Sequence, residues 1–122
     1  MQIVNPVGKR GEDLATAYLQ EKGYKMLERN YRKQYAEIDI IALSPDNCLV
    51  FVEVKTRTSR TFGTPFEAIT YRKLKPLTQA ALYYQMTHKD LPRAMRIDAV
   101  AVELGKKGAV VSVEHIENIS TF

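Results

Sequence analysis

The run from Leu49 to Val54 constrains the fold of this chain more than any other segment. Its six residues are apolar except Glu53, and four of them are valine or phenylalanine. A run of this kind is typical of a central β-strand that is covered on both faces. Such a strand needs a packed layer on each side, so the sequence predicts an α/β fold.

The other elements follow from hydrophobic spacing and turn signals. Apolar residues three or four apart indicate helices, and alternation indicates strands. The predicted elements are a helix over 6–22, two strands within 24–43 that join around 31–35, the strand over 49–54, a helix within 66–88, and strands over 95–103 and 109–116. The predicted fold is therefore a mixed central sheet flanked by helices, in the order helix, three strands, helix, two strands.

Length and composition indicate a single domain that spans residues 1–122. The apolar fraction is 45% and the charged fraction is 26%, so intrinsic disorder and coiled-coil rods are excluded. The single cysteine, Cys48, is expected to be a small buried apolar residue. The apolar runs are short and no signal peptide is apparent, so we expect a cytoplasmic protein that does not enter a membrane.

The positive charge is concentrated in two windows of the sequence. Of 18 lysine and arginine residues, five lie in 22–33 and six in 55–75, and the net charge is +4. This distribution favours an anionic partner such as nucleic acid, although two solvated faces would give the same pattern. The candidate nucleic-acid-binding residues are Arg32, Arg57, Arg60, Arg72 and Lys73.

Acidic side chains on two neighbouring strands suggest a metal site. Glu53 and Lys55 alternate with valines and share one face of their strand, with Cα atoms about 6.6 Å apart. Glu37 and Asp39 lie on the strand expected to pair with it, so Asp39 and Glu53 are expected to meet. Adjacent carboxylates repel unless a cation holds them, and oxygen ligands favour Mg²⁺ or Mn²⁺. The alternative is that the strand ends here and its charges emerge into solvent.

The lysine beside these acids indicates catalysis. An ammonium group stabilises charge that develops on a phosphate, and a purely structural metal site does not need one. The reaction that suits the three residues is metal-assisted hydrolysis of a phosphodiester. The two histidines, His88 and His115, stand apart in the sequence and are expected at the surface.

Several motifs carry a family resemblance. They are GEDLA at 11–15, RNYR at 29–32, EIDIIA at 37–42, VFVEVKTR at 50–57, PFEAI at 65–69, RID at 96–98 and HIEN at 115–118. With them the chain resembles the YraN family of small bacterial proteins over nearly its whole length. By similarity, that family belongs to the PD-(D/E)XK nuclease superfamily, near the Holliday-junction resolvases. The resemblance implies a restriction-endonuclease-like fold.

The resemblance also implies roles for individual residues. Asp39 and Glu53 would bind Mg²⁺ or Mn²⁺, Lys55 would be the catalytic lysine, and Glu12 would be a further acid from the first helix. The implied activity is that of an endonuclease on DNA, including structured or branched DNA in repair or recombination, with a homodimer left open. One departure is Ala36, where the family usually has glycine.

A second, weaker pattern and two other functions stay open. Gln79 and Tyr83 match the Gln-x-x-x-Tyr pattern of some nucleases of this superfamily, but the same spacing also arises from packing on one helix face. The main functional alternative is a non-catalytic nucleic-acid-binding or adaptor protein on a nuclease scaffold. A small structural interaction domain is the third.

Overall fold

The computed structural model describes residues 6–34, 36–58 and 71–122, and the side chains of 71–73 lie outside that description. The elements follow the predicted order. They are α1 (Pro6–Glu21), β1 (Lys25–Lys33), β2 (Ala36–Leu43), β3 (Leu49–Thr58), α2 (Tyr71–Thr87), β4 (Met95–Leu104) and β5 (Val110–Ile116), with a 3₁₀ turn at Lys106–Gly108.

The five strands form one sheet in the order β1-β2-β3-β4-β5. Strands β3 and β4 are parallel, and the other neighbouring pairs are antiparallel. Helix α2 lies between β3 and β4 in the chain, as a parallel connection requires. The predicted mixed central sheet is therefore confirmed.

Strand β3 is covered on both faces, as its composition predicts. Val50, Val52 and Val54 belong to an apolar cluster that includes α1 residues, and Phe51 belongs to a second cluster that includes α2 residues. All four are buried. A helix therefore packs on each face of the sheet, and alternation along β3 decides which face each side chain reaches.

Gly11 allows α1 to approach β3 closely. A Cβ atom at this buried position would overlap the Oγ1 atom of Thr56 on β3. Any larger residue would therefore push the helix away from the strand. Because Glu12 is the next residue, this contact fixes the height of Glu12 above the sheet.

Three expectations about particular residues can be compared with the structure. Strand β3 continues to Thr58, beyond the predicted end at Val54, because it pairs with β4 along its full length. Glu53 and Lys55 therefore lie inside a paired strand and are half-buried, so the strand does not end at these residues. Cys48 is buried, as predicted.

The prediction that His115 lies at the surface is wrong. Its side chain is only 2% exposed, and its Nε2 lies 2.8 Å from Oδ2 of the buried Asp98 carboxylate. Of the predicted helix within 66–88, the structure describes only the part from residue 71. Within the described ranges, no helix is long and apolar enough to cross a membrane.

Candidate active site

The candidate site lies where β2 and β3 stop pairing. Their paired residues run from Leu43 and Leu49 to Ile40 and Val52, so the same register would place Asp39 opposite Glu53. In place of a further strand–strand bond, the backbone N–H of Val54 donates to Asp39 Oδ2 at 2.8 Å. The Asp39 carboxylate is thus fixed against β3, next to Glu53.

The Asp39 carboxylate lies in surroundings that disfavour its charge. Burial and the negative charge of Glu53 raise its pKa to about 7, and the bond from the Val54 N–H opposes this rise. Glu12 and Glu37 raise the pKa of Asp39 further. The acids predicted from two strands and one helix therefore do come within electrostatic reach of one another.

Glu53 and Lys55 share the face of β3 that looks toward α2. Val52 and Val54 pack in the cluster that includes α1, and Thr56 contacts α1 at Gly11. The residues between them must point to the other face. Both charged side chains are half-buried there, and the two residues are neighbours on one face of the strand.

Glu12 reaches the site from α1. Its pKa is raised by burial, while Arg29 lowers it and Glu37 raises it further. Arg29 Nη2 lies 3.8 Å from Glu12 Oε1 and 2.9 Å from Asp13 Oδ1. Sequence periodicity alone does not bring this helix residue to the strands, but the family resemblance implies it, and the structure places it there.

Asn30 is a residue of this site that the sequence reasoning missed. With its amide nitrogen facing the carboxylates, that nitrogen lies 2.9 Å from Glu12 Oε1 and 3.2 Å from Glu37 Oε1. Its φ of 54° is in the left-handed region, which asparagine tolerates better than most residues. The available signal was the RNYR motif itself, which contains Asn30 between two arginines.

The acids can be tested for their fit to a divalent cation. Among the described residues, no three or more His, Cys, Asp or Glu side chains are grouped as a ready-formed metal site. Mg²⁺ does not need such a group, since it keeps several waters and is usually bound through one or two carboxylates and substrate phosphates. Asp39 and Glu53 supply two hard oxygen ligands. The pKa of Asp39 is raised first by burial and then by neighbouring negative charge, and a cation would offset that charge. The residues present therefore fit Mg²⁺ or Mn²⁺.

The predicted nucleic-acid-binding residues are placed only in part. Arg32 is exposed on β1 and its Nη2 pairs with Glu37 Oε2 at 3.0 Å, while Arg57 is half-buried near the end of β3. Arg60 lies outside the described residues. Arg72 and Lys73 lie in the first turn of α2, but their side chains also lie outside the description. The contact surface for nucleic acid stays a prediction.

A second acidic centre, also missed from the sequence, surrounds Asp98 on β4. This fully buried carboxylate accepts bonds from Arg96 Nε at 3.0 Å, His115 Nε2 at 2.8 Å and the Asn118 backbone N–H at 2.8 Å. Arg96 Nη2 also donates to the Tyr24 hydroxyl at 2.8 Å. Burial alone would raise the pKa of Asp98, but these three hydrogen-bond donors together hold it below its ordinary value.

Comparison with known proteins identifies the family. The model described as "Uncharacterised protein family UPF0102" matches residues 11–102. The chain belongs to this family. It is the YraN family that the motifs resemble, so that prediction is confirmed.

Two relatives show how far the likeness extends. A UPF0102 protein of Syntrophomonas wolfei is 45% identical over 114 residues, covering 92% of this chain and 95% of the relative. One of Desulforamulus reducens is 40% identical over 113 residues, covering 92% and 93%. The names of these family members state no activity.

Two solved structures resemble the fold more distantly. A repair endonuclease from Pyrococcus abyssi aligns with 14% identity and a TM-score of 0.43, covering 88% of this chain and 42% of its own. SfsA of Pyrococcus furiosus, in complex with Ca²⁺, aligns with 10% identity and a TM-score of 0.34, covering 94% and 65%. Both TM-scores are too low to establish a shared fold.

Proposed function

We propose that this protein is a metal-dependent endonuclease that hydrolyses phosphodiester bonds in DNA. The observation that carries the proposal is the Asp39 carboxylate, which is bonded to the Val54 N–H and surrounded by the charges of Glu53, Glu12 and Glu37. A protein gains no stability from crowding acids in this way. The arrangement makes chemical sense when a cation and a phosphate occupy the site.

Each residue of the site has a separate role in this proposal. Asp39 and Glu53 would hold Mg²⁺, which when bound would stabilise negative charge on phosphate and make water more acidic. Lys55 stabilises the charge that develops on the phosphate during cleavage. Glu12 has a pKa raised by burial, which suits it to accept a proton from, or orient, the attacking water.

The partner in this proposal is DNA, held through its phosphates. No recognition helix or base-reading motif is apparent in the sequence, so discrimination would come from the shape of the nucleic acid, as in branched or structured DNA. A homodimer would present two such sites related by symmetry, as cleavage of a symmetric junction requires. We therefore propose that the activity serves DNA repair or recombination.

The test is a cleavage panel of branched, duplex and single-stranded DNA with Mg²⁺ or Mn²⁺. Wild type should cleave at least one substrate in a metal-dependent way. Asp39→Asn and Lys55→Ala should abolish cleavage, yet retain the fold and DNA binding, because they act on one phosphate and its metal. The control is Lys89→Ala, an exposed lysine just beyond α2, which should cleave like wild type.

Two outcomes would overturn the proposal. If wild type binds DNA but cleaves no substrate of the panel, the alternative of a non-catalytic binder or adaptor is correct. If Lys55→Ala retains the activity of wild type, the cleavage comes from a contaminating nuclease and the assignment of Lys55 is wrong.

A further inference from the structure

An open cleft of about 460 Å³ lies between the β1–β2 hairpin and α2. The hairpin contributes Lys33, Gln34 and Ala36, and α2 contributes Pro76, Gln79 and Tyr83. This volume is within the range of small-molecule sites. Gln79 and Tyr83 therefore line the same cleft and are not part of the core. Their four-residue spacing is thus not explained by packing of one helix face into the core.

The aromatic ring in this cleft is partly exposed. Tyr83 is 39% exposed, and Lys33 Nζ lies 4.2 Å from the centroid of its ring. The Lys33 ammonium therefore covers one face of the ring, and a base that stacks on this face must displace it. At an exposed site, a cation–π contact is weak compared with the stacking of a planar base on the same ring.

The remaining polar groups complement the other parts of a nucleotide. The amides of Gln34 and Gln79 each offer donors and an acceptor, which match the edge of a base. Once displaced from the ring, the Lys33 ammonium can pair with a phosphate. In an intact duplex the base faces are stacked on one another, so only an unpaired base can use all three features.

The cleft lies on the same side of the sheet as Glu53 and Lys55. Glu53 and Lys55 point to the face of β3 that looks toward α2, and α2 forms one wall of the cleft. Ala36 lies three residues before Asp39 on β2, which is about 10 Å along the strand. A nucleic-acid strand whose phosphate lies at Asp39 and Glu53 can therefore reach the cleft with a nearby base.

We propose that this cleft binds an unpaired base of the nucleic-acid substrate, with the base stacked on Tyr83, its edge bonded to Gln34 or Gln79, and its phosphate paired with Lys33. The inference rests on the proposed function and narrows it. The preferred substrate would carry a single-stranded segment beside the bond that is cleaved.

The test compares the binding of a fluorescein-labelled oligothymidine with that of a blunt duplex of the same length. Fluorescence anisotropy is measured on the full chain in EDTA, so that nothing is cleaved. Tyr83→Ala should weaken single-strand binding about 5- to 140-fold and leave duplex binding unchanged. Tyr83→Phe should bind like wild type, since it keeps the ring. The matched control is Leu82→Ala, which removes a 45% exposed side chain on the same helix outside the cleft lining.

A second measurement needs no variant. A 4-thiothymidine oligonucleotide photocrosslinked to wild type should attach to the peptide that contains Tyr83. The inference is overturned if the crosslinks map only elsewhere, or if Tyr83→Ala weakens binding of both probes equally or of neither. If wild type shows metal-dependent cleavage but Tyr83→Ala has no effect on binding, the base-binding cleft is refuted and the proposed nuclease function is retained. If binding depends on Tyr83 but no substrate is cleaved, the nuclease function is refuted and the base-binding cleft is retained.

Discussion

Asp39 on β2 and Asp98 on β4 are acids of one sheet in opposite electrostatic surroundings. Burial pushes the pKa of both carboxyls upward. At Asp98, bonds from His115, Asn118 and Arg96 overcome that effect, and the pKa ends below its ordinary value. At Asp39, the neighbouring charges of Glu53, Glu12 and Glu37 add to it, and the pKa reaches about 7. Hydrogen-bond donors, Arg96 among them, therefore offset the burial of Asp98, whereas the neighbouring charges that act most strongly on Asp39 are negative.

Helix α1 borders both centres, so the difference does not arise from separate parts of the fold. Near its start, Glu12 adds negative charge beside Asp39. Near its end, the Tyr18 ring lies edge-on to His115, and just beyond the helix Lys22 Nζ lies 3.0 Å from His115 Nδ1. The end of this helix thus contacts His115, which belongs to the hydrogen-bonded network of Asp98, and its start contributes Glu12 to the acidic site at Asp39. This contrast agrees with the proposed function, in which Asp39 binds a metal ion, and it leads us to expect that Asp98 stabilises the fold.

The largest expected effect is the loss of stability in Asp98→Asn. The substitution leaves the Arg96 guanidinium, which is only 13% exposed, without its main carboxylate, and it also disturbs His115. Breaking a buried ion pair on one side costs about 3–5 kcal/mol. Urea unfolding followed by circular dichroism should show this decrease in the free energy of unfolding.

The next prediction compares the stability of Asp39→Asn with that of Asp98→Asn. Asp39→Asn, measured without metal at neutral pH, should be as stable as wild type or more so, because it removes a charge among other negative charges. Asp13→Asn is the control for a surface acid that is 46% exposed, and it should change stability by less than about 1 kcal/mol. Equal decreases in the free energy of unfolding of Asp39→Asn and Asp98→Asn would show that the two acids do not differ in their contribution to stability.

A second prediction concerns pH. The folded Asp39 carboxyl ionises near pH 7, while the unfolded one ionises near its ordinary value of 3.8. Between these values the folded protein holds the extra proton, so the free energy of unfolding should fall as the pH rises, by up to about 1.4 kcal/mol per pH unit. Asp98 acts with the opposite sign, because its lowered pKa gives stability that is lost as the pH falls below about 4.

The measurement is the pH dependence of unfolding in EDTA, taken as the difference between wild type and Asp39→Asn. The difference should have the predicted negative slope between about pH 4 and 7, which isolates this group from other titrating residues. Glu53→Gln should reduce the slope as well, because the negative charge of Glu53 contributes to the raised pKa of Asp39. Parallel curves for wild type and Asp39→Asn would show that the Asp39 carboxyl is not perturbed.

The fold was predictable because it depends on local patterns. The apolar run of β3, the period of α1 and the turn signals between strands are each contained in a short segment, and each corresponds to an element of the structure. The end of β3 was not predictable in this way. It depends on parallel pairing with β4, whose residues lie more than 40 positions away in the chain.

The residues around the two acids also differ in whether local sequence patterns predict them. Asp39, Glu53 and Lys55 were visible because alternation and a hairpin bring them together. The surroundings of Asp98 were not, because Tyr24, Arg96 and His115 come from three distant segments and share no spacing rule. His115 was expected at the surface for this reason. A lone histidine gives no sign in the sequence of the carboxylate it will meet.

The smallest expected effect separates two asparagines that both adopt the left-handed conformation. Asn30 and Asn118 have φ of 54° and 58°, so glycine at either position should change stability by no more than about 1 kcal/mol. Asn30 uses its side-chain amide on Glu12 and Glu37, whereas Asn118 uses its backbone N–H on Asp98, and glycine keeps that N–H.

Asn30→Gly should therefore lower kcat/KM for DNA cleavage about 2- to 10-fold, the range that corresponds to one typical hydrogen bond. Asn118→Gly should leave kcat/KM unchanged. If the amide acts by positioning Glu12, the effect of Asn30→Gly should disappear in a Glu12→Ala background, because coupled residues are not additive. Additive losses in the double variant would mean that Asn30 supports the site by another route. An unchanged kcat/KM in Asn30→Gly alone would show that the amide contact does not matter, and the acidic site would then depend on Arg29 to hold Glu12 in place.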